Sequence, residues 1–365
     1  MDYFAQRRDS LSRLIEPEGV DAFLITNPIN VSYLTGFSGD SSYLILGKVR
    51  AILVSDARYT EQINEECPGL EYHIRPHNQF IQSAAVEILD KLGFHRVGFE
   101  SKHLSVDDLQ TLIGLIPRME WKPESALVES LRQVKDESEV AQIREAIGFA
   151  ERAFAMFQAM LRPTDSEKEL SDNLEWYVRR AGGRCTSFPS IIAVGERAAL
   201  PHAPPTSRTV GETELLLVDW GGCGRFYNCD LTRVLAGRRI SPKLETVYGV
   251  VLQAQRKALA AIRPGVRAQQ VDAEARAVIE ESGFGQFFGH GLGHGIGLQI
   301  HEAPAIRQNS EAVLQSGMVF TIEPGIYLPG WGGVRIEDDV LLTPDGCEVL
   351  THVPREPMLR FVSDE

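Results

Sequence analysis

Four acidic side chains and one histidine interrupt apolar or glycine-rich stretches of this chain: Asp219, Asp230, His294, Glu323 and Glu337. An ionised carboxylate placed after a run such as Leu215-Leu216-Leu217-Val218 is costly to bury unless it is paired or bound to a cation. A fold that gathers these five groups therefore needs concentrated positive charge among them. Two divalent cations would balance four carboxylates. Dications about 3.5–4 Å apart can share a water, lower its pKa and clamp the oxygens of a hydrolytic transition state. The oxygen-rich set with one nitrogen suits Mn²⁺ or Co²⁺ at least as well as Zn²⁺.

At 365 residues and 43% hydrophobic content the chain can bury a large core, and its length favours two domains over one. A formal net charge of −13 with no Lys/Arg block argues against general nucleic-acid binding. The charged start MDYFAQRRDS leads into no long apolar run, so neither a secretory signal nor a membrane anchor is expected. No window approaches the roughly 20 apolar residues of a spanning helix. The five cysteines, Cys67, Cys185, Cys223, Cys229 and Cys347, form no CxxC pair and fit free thiols in a reducing cytoplasm.

The first third alternates helical and strand patterns. Leu11, Leu14 and Ile15 mark an amphipathic opening helix, and strands are predicted over 20–26, 42–47, 51–55 and 96–100. This gives an α/β domain ending near Trp121-Lys122-Pro123-Glu124, where Pro123 and the change to a charged amphipathic stretch over 136–161 mark a boundary after residue 125. Beyond Pro163 the pattern runs helix, strands, two helices over 246–262 and 268–282, and strands again. Strands over 215–220, 228–236, 318–327 and 332–343 place all four carboxylates on strands.

Asp219 and Asp230 lie eleven residues apart on neighbouring strands of a predicted hairpin, whose Gly-rich link brings two inward-facing carboxylates together. The competing reading is a pair of turn aspartates capping that link. His290 and His294 lie in GHGLGHGIGLQIHE (289–302). Their i, i+4 spacing suits a helical zinc site, but glycine at 289, 291, 293, 295 and 297 argues against a helix, and no Glu follows His290. Four of nine histidines, at 202, 290, 294 and 301, fall near the other candidate groups, which favours a shared function over separate structural roles. Arg335 reads as a donor that orients one carboxylate rather than as a surface partner of Glu337.

At these residues the chain resembles the pita-bread metallopeptidases: aminopeptidase P and prolidase (Xaa-Pro dipeptidase), with methionine aminopeptidase and metal-free creatinase as relatives. The likeness is carried by PHAPPT (201–206), VDWGG and CDLTRV within 218–234, GHGLGHGIGLQIHEAP (289–304), FTIEPGIY (320–327) and GGVRIEDD (332–339). NVSYLTGFSG (30–39) and DARYTEQ (56–62) resemble a creatinase-type N-terminal domain. The resemblance implies an α+β protein, with a creatinase-like α/β domain over 1–125 and a pita-bread catalytic domain over 126–365. It implies two divalent metal ions, Mn²⁺ before Co²⁺ or Zn²⁺, ligated by Asp219, Asp230, His294, Glu323 and Glu337, with Asp230 and Glu337 bridging. His202, His290 and His301 match the family's substrate-side histidines, and Tyr327 and Arg335 match partners of the Asp219 ligand that also border the substrate.

The implied activity is hydrolysis of the Xaa-Pro bond at peptide N-termini by a hydroxide shared between the metals, as in aminopeptidase P. An Xaa-Pro dipeptidase is the alternative, and a peptide-binding protein without catalysis is a third reading, disfavoured by the intact ligand set. His202 and His301 are expected to donate hydrogen bonds as charge develops on the carbonyl oxygen, and Glu323 to carry a proton to the proline nitrogen. Asp40, after Gly39, is a candidate for the substrate's amino group across a homodimer interface. The expected partners are thus a peptide with proline second and another copy of the chain, in the cytoplasm, without nucleic acid or membrane.

Overall fold

The computed structural model describes residues 2–211, 213–237 and 240–355. It divides into two compact units between Arg132 and Gln133.

The first unit holds six strands: β1 (Ala22–Ile25), β2 (Tyr43–Gly47), β3 (Ala51–Asp56), β4 (Glu71–Arg75), β5 (Arg96–Glu100) and β6 (Glu120–Glu124). They form one sheet in the order β4-β3-β2-β1-β5-β6. β2 is antiparallel to both neighbours, and the other pairs are parallel. A parallel pair needs a crossover, and helices supply it. The unit's helices are α1 (Tyr3–Ile15), α2 (Pro28–Thr35), α3 (Thr60–Glu66), α4 (Ile81–Lys91), α5 (Val106–Leu115) and α6 (Leu127–Arg132). Trp121 to Glu124, read from the sequence as a boundary, are residues of the edge strand β6. Pro123 is tolerated there because an edge leaves one side of the ladder unpaired. The unit continues through α6, which packs on α1 and α2.

In the second unit, α7 (Glu137–Met160) and α8 (Glu167–Arg180) each begin with a capping box, Asp136 with Glu139 and Ser166 with Glu169. The strands β7 (Cys185–Thr186), β8 (Ile191–Val194), β9 (Leu215–Trp220), β10 (Gly222–Cys223) and β11 (Leu231–Ala236) follow. Then come α9 (Pro242–Ala261), α10 (Ala268–Glu281), β12 (Gly293–Gly295), β13 (Glu302–Ile306), β14 (Val319–Ile322), β15 (Gly325–Leu328), β16 (Gly332–Arg335), β17 (Asp338–Thr343) and β18 (Gly346–Val349). Two sheets dominate, β11-β9-β8 and β13-β12-β14-β17-β18.

β9 is buried at every position. Leu215 and Leu217 join the core built with α9 and α10, whereas Leu216, Val218 and Trp220 join the core built with α7 and α8. Side chains alternate across a strand, so a sheet covered on both faces reads as a continuous apolar run. Trp220 stacks on Phe154 with ring centroids 4.2 Å apart and donates its indole N–H to Ala150 O at 3.0 Å. Asp219 falls on the opposite face from Trp220, at the end of the row set by Leu215 and Leu217.

Candidate metal centre

Contrary to the expectation that all four carboxylates lie on strands, three of them fall outside the strands. Only Asp219 lies within one. Asp230 precedes β11, Glu323 follows β14, and Glu337 falls between β16 and β17. Each of these three leaves the ladder for a specific contact. The Asp230 N–H donates to the Asp339 carboxylate at 3.1 Å, that of Glu323 to Leu292 O at 2.8 Å just before Pro324, and that of Glu337 to Thr232 O at 3.2 Å. Local contacts, not strand alternation, aim these acids.

His294 lies in the short strand β12, and the loop around it is non-helical as the glycines suggested. A Cβ on Gly293 would meet Thr321 O at 1.9 Å, and one on Gly295 would meet Ala303 O at 2.2 Å. Neighbouring backbone therefore comes too close for any side chain at these two positions. A register shift between His294 and Gly295 bulges the strand at the imidazole. His294 Nδ1 donates to Gly295 O at 3.1 Å, because a carbonyl only accepts, so Nε2 presents a lone pair. That lone pair faces Glu323 Oε1 at 3.4 Å and Asp230 Oδ2 at 3.7 Å. One donor atom each from Asp230, His294 and Glu337 lie within 4.8 Å of one another.

This donor set fits divalent cations. A neutral imidazole lone pair opposite two carboxylates is repulsive unless a cation lies between them. Asp230 Oδ1 is buried and has no hydrogen-bond partner among the described residues. Burial pushes the Glu323 carboxyl up to about 7, and the Asp219 charge adds to this. Asp230 and Glu337 are raised well above the carboxylate range by burial first and then by neighbouring carboxylates. Asp219 is raised by burial in spite of Arg335. Burial also lowers His294 and His290 to about 4. Burial and mutual repulsion disfavour the ionised form of these carboxylates, and bound dications would offset that cost.

Arg335 braces the cluster. Its guanidinium donates to Asp219 Oδ2 at 2.5 Å, to Thr232 Oγ1 at 2.9 Å and to the Tyr327 hydroxyl at 2.8 Å. The Thr232 hydroxyl in turn donates to Glu337 Oε2 at 2.5 Å. Tyr327 donates onward to His290 Nε2 at 2.9 Å, and His290 Nδ1 donates to Gly291 O at 2.7 Å. Tyr327 thus reaches Asp219 through Arg335. Sequence reasoning missed Thr232 and Thr321, the latter accepting the His294 N–H and donating to Glu323 Oε1, each at 3.1 Å. The alternation Asp230-Leu231-Thr232, with Thr232 on the face of the acid, was the available signal.

The cluster opens into a cavity of about 610 Å³. His202, His290 and His301 line it with Tyr327 and Arg335, and the His301 ring lies 4.3 Å from that of His294. Phe188, Pro189, Ile191 and Pro201 contribute apolar wall, and Arg307 contributes a cation. Asp40 belongs to the first unit, where its exposed carboxylate accepts the Tyr59 hydroxyl.

Residues 7–134 match the creatinase/prolidase N-terminal domain, and residues 141–344 match metallopeptidase family M24. The chain is 33% identical to an Xaa-Pro dipeptidase of Pyrococcus horikoshii over 98% of this chain and 99% of that one. Its structure is similar to that of an Xaa-Pro dipeptidase from Bacillus anthracis, with a TM-score of 0.93, 36% identity and coverage of 97% of this chain and 99% of the other. For an X-Pro aminopeptidase from Thermotoga maritima the TM-score is 0.91, with 35% identity over 96% of this chain and 99% of the other. Fold and site define a peptidase with a creatinase-type N-terminal domain and a pita-bread catalytic domain. The chain belongs to metallopeptidase family M24. Among the described residues, no helix is long and apolar enough to cross a membrane.

Proposed function

We propose that this peptidase is an Xaa-Pro dipeptidase that uses two divalent cations held by Asp219, Asp230, His294, Glu323 and Glu337. The motifs alone put aminopeptidase P-like cleavage first, but whole-length relatives named Xaa-Pro dipeptidase favour the alternative. The observation that carries the reading is the concentration of buried carboxylates and a neutral imidazole in a cavity bounded by apolar groups and Arg307. A guanidinium suits the free carboxylate that a dipeptide places beside its scissile bond.

Held by these five side chains, a cation pair, Mn²⁺ before Co²⁺ or Zn²⁺ on this oxygen-rich donor set, would supply the positive charge that polarises the scissile carbonyl and acidifies a water. Arg335 keeps the Asp219 carboxylate oriented, and Thr232 does the same for Glu337. His202 and His301 donate hydrogen bonds to the carbonyl oxygen as it gains negative charge. Glu323, whose carboxylate borders both the cluster and the cavity, carries a proton from the water to the proline nitrogen. That delivery is required because the nitrogen of an Xaa-Pro bond carries no hydrogen and must leave as an amine. The hydrogen bond from Tyr59 holds Asp40 below the usual carboxylate range, and we assign Asp40 to the substrate ammonium from a second copy of the chain.

The Thermotoga maritima relative keeps an X-Pro aminopeptidase as the second reading. Assays of Mn²⁺-loaded protein on Xaa-Pro dipeptides and Xaa-Pro-Pro tripeptides separate the two. Cleavage of dipeptides, with tripeptides left intact, is expected. Preferential cleavage of the tripeptides would establish the aminopeptidase reading instead.

A further inference from the structure

β7 and β10 form an antiparallel pair in which Cys185 stands directly opposite Cys223. Opposed residues of such a pair have Cα atoms about 4.5–5.5 Å apart, inside the window of about 4.4–6.8 Å that a disulfide spans. Arg184, next to Cys185, donates to Cys223 Sγ at 3.5 Å. Arg179 bonds Arg184 O at 2.7 Å and pairs with Glu175 at 2.9 Å. Cys229 is engaged elsewhere, accepting the Gly222 N–H at 3.1 Å. Cys223 is 3% exposed, while Cys185 is only half-buried, so one thiol is accessible and the other waits behind it.

We propose that Cys185 and Cys223 are a thiol modification site, closing to a reversible disulfide in the presence of a small-molecule disulfide. The accessible Cys185 thiolate attacks one sulfur of the small disulfide, forming a mixed disulfide and expelling a thiolate. The Cys223 thiolate then attacks Cys185 Sγ and expels the second thiolate. The two protons lost by the cysteines are taken up by the leaving thiolates. The protein pair gives up two electrons, and the small disulfide becomes two thiols. Burial disfavours the Cys223 thiolate, and the Arg184 guanidinium opposes that cost at the sulfur that must react. The bond would tie the segment just after Asp219 to the one that runs on into Phe188 and Pro189 of the cavity wall.

The full-length protein, incubated with oxidised glutathione, quenched by alkylation under denaturing conditions and mapped by peptide mass spectrometry, tests this. The expected result is loss of two of the five alkylatable thiols, a Cys185–Cys223 linked peptide, and recovery of all five with dithiothreitol. Cys223→Ser should instead accumulate the glutathione adduct on Cys185. Five alkylated cysteines after treatment, a bridge that uses Cys229, or thiol loss unchanged in Cys185→Ser would overturn the proposal.

Discussion

Thr232 cannot hold a metal strongly, yet its hydroxyl accepts from Arg335 and donates to Glu337, and its carbonyl accepts the Glu337 N–H. It sits directly opposite Asp219 in the β9–β11 register. One uncharged side chain thereby fixes two carboxylates relative to one guanidinium. The acids themselves make the metal-free protein sensitive to pH. Burial raises Glu323 to about 7 and Asp219, Asp230 and Glu337 above their ordinary range. A carboxyl whose folded pKa exceeds its unfolded pKa adds stability that is complete at low pH and is lost as pH rises through the folded value. His290 and His294, lowered to about 4, act in the opposite sense. Their effect fades above about pH 6.5, as unfolded imidazole loses its proton. Between about pH 6.5 and 8 the carboxylate effect outlasts it. The Tm of chelator-treated protein should therefore fall across that window, and saturating Mn²⁺ should flatten the fall. A metal-free Tm that is constant or rising there would show that the acids are not crowded as described.

At the scale of elements, β9 is the middle strand of its sheet, and its alternate side chains serve two cores. Trp220→Ala removes the stack on Phe154 and leaves a cavity, which should cost about 3–5 kcal/mol. Urea denaturation measures this, and a loss below about 1 kcal/mol would mean that the α7–α8 core does not depend on the indole. The apolar run of β9, the capped start of α7 at Asp136 and the non-helical glycine loop are legible in the sequence because each follows from neighbouring residues. Strand ends are less legible. Asp230, Glu323 and Glu337 look like strand residues beside apolar neighbours, but contacts with Asp339, Leu292 and Thr232 take them out of the ladder. The bracing role of Thr232 and the opposition of Cys185 to Cys223 depend on register between distant segments, which local pattern does not encode. β6 was missed because Glu120-Trp121-Lys122-Pro123-Glu124 is polar, partly exposed and carries a proline.

At the scale of the molecule, the second unit uses paired helices on each side of β9 and β11 to support a site assembled from residues 219 to 337. The residues proposed to hold the cations are legible as acids and an imidazole set among apolar and glycine-rich neighbours, while their convergence comes from the fold. If these five side chains hold a pair of cations, anomalous scattering from crystals of the chain grown with Mn²⁺ will locate both. Two manganese peaks about 3.5–4 Å apart are expected among Asp219, Asp230, His294, Glu323 and Glu337. Manganese bound elsewhere, or no peak within this cluster at saturating metal, would contradict that assignment.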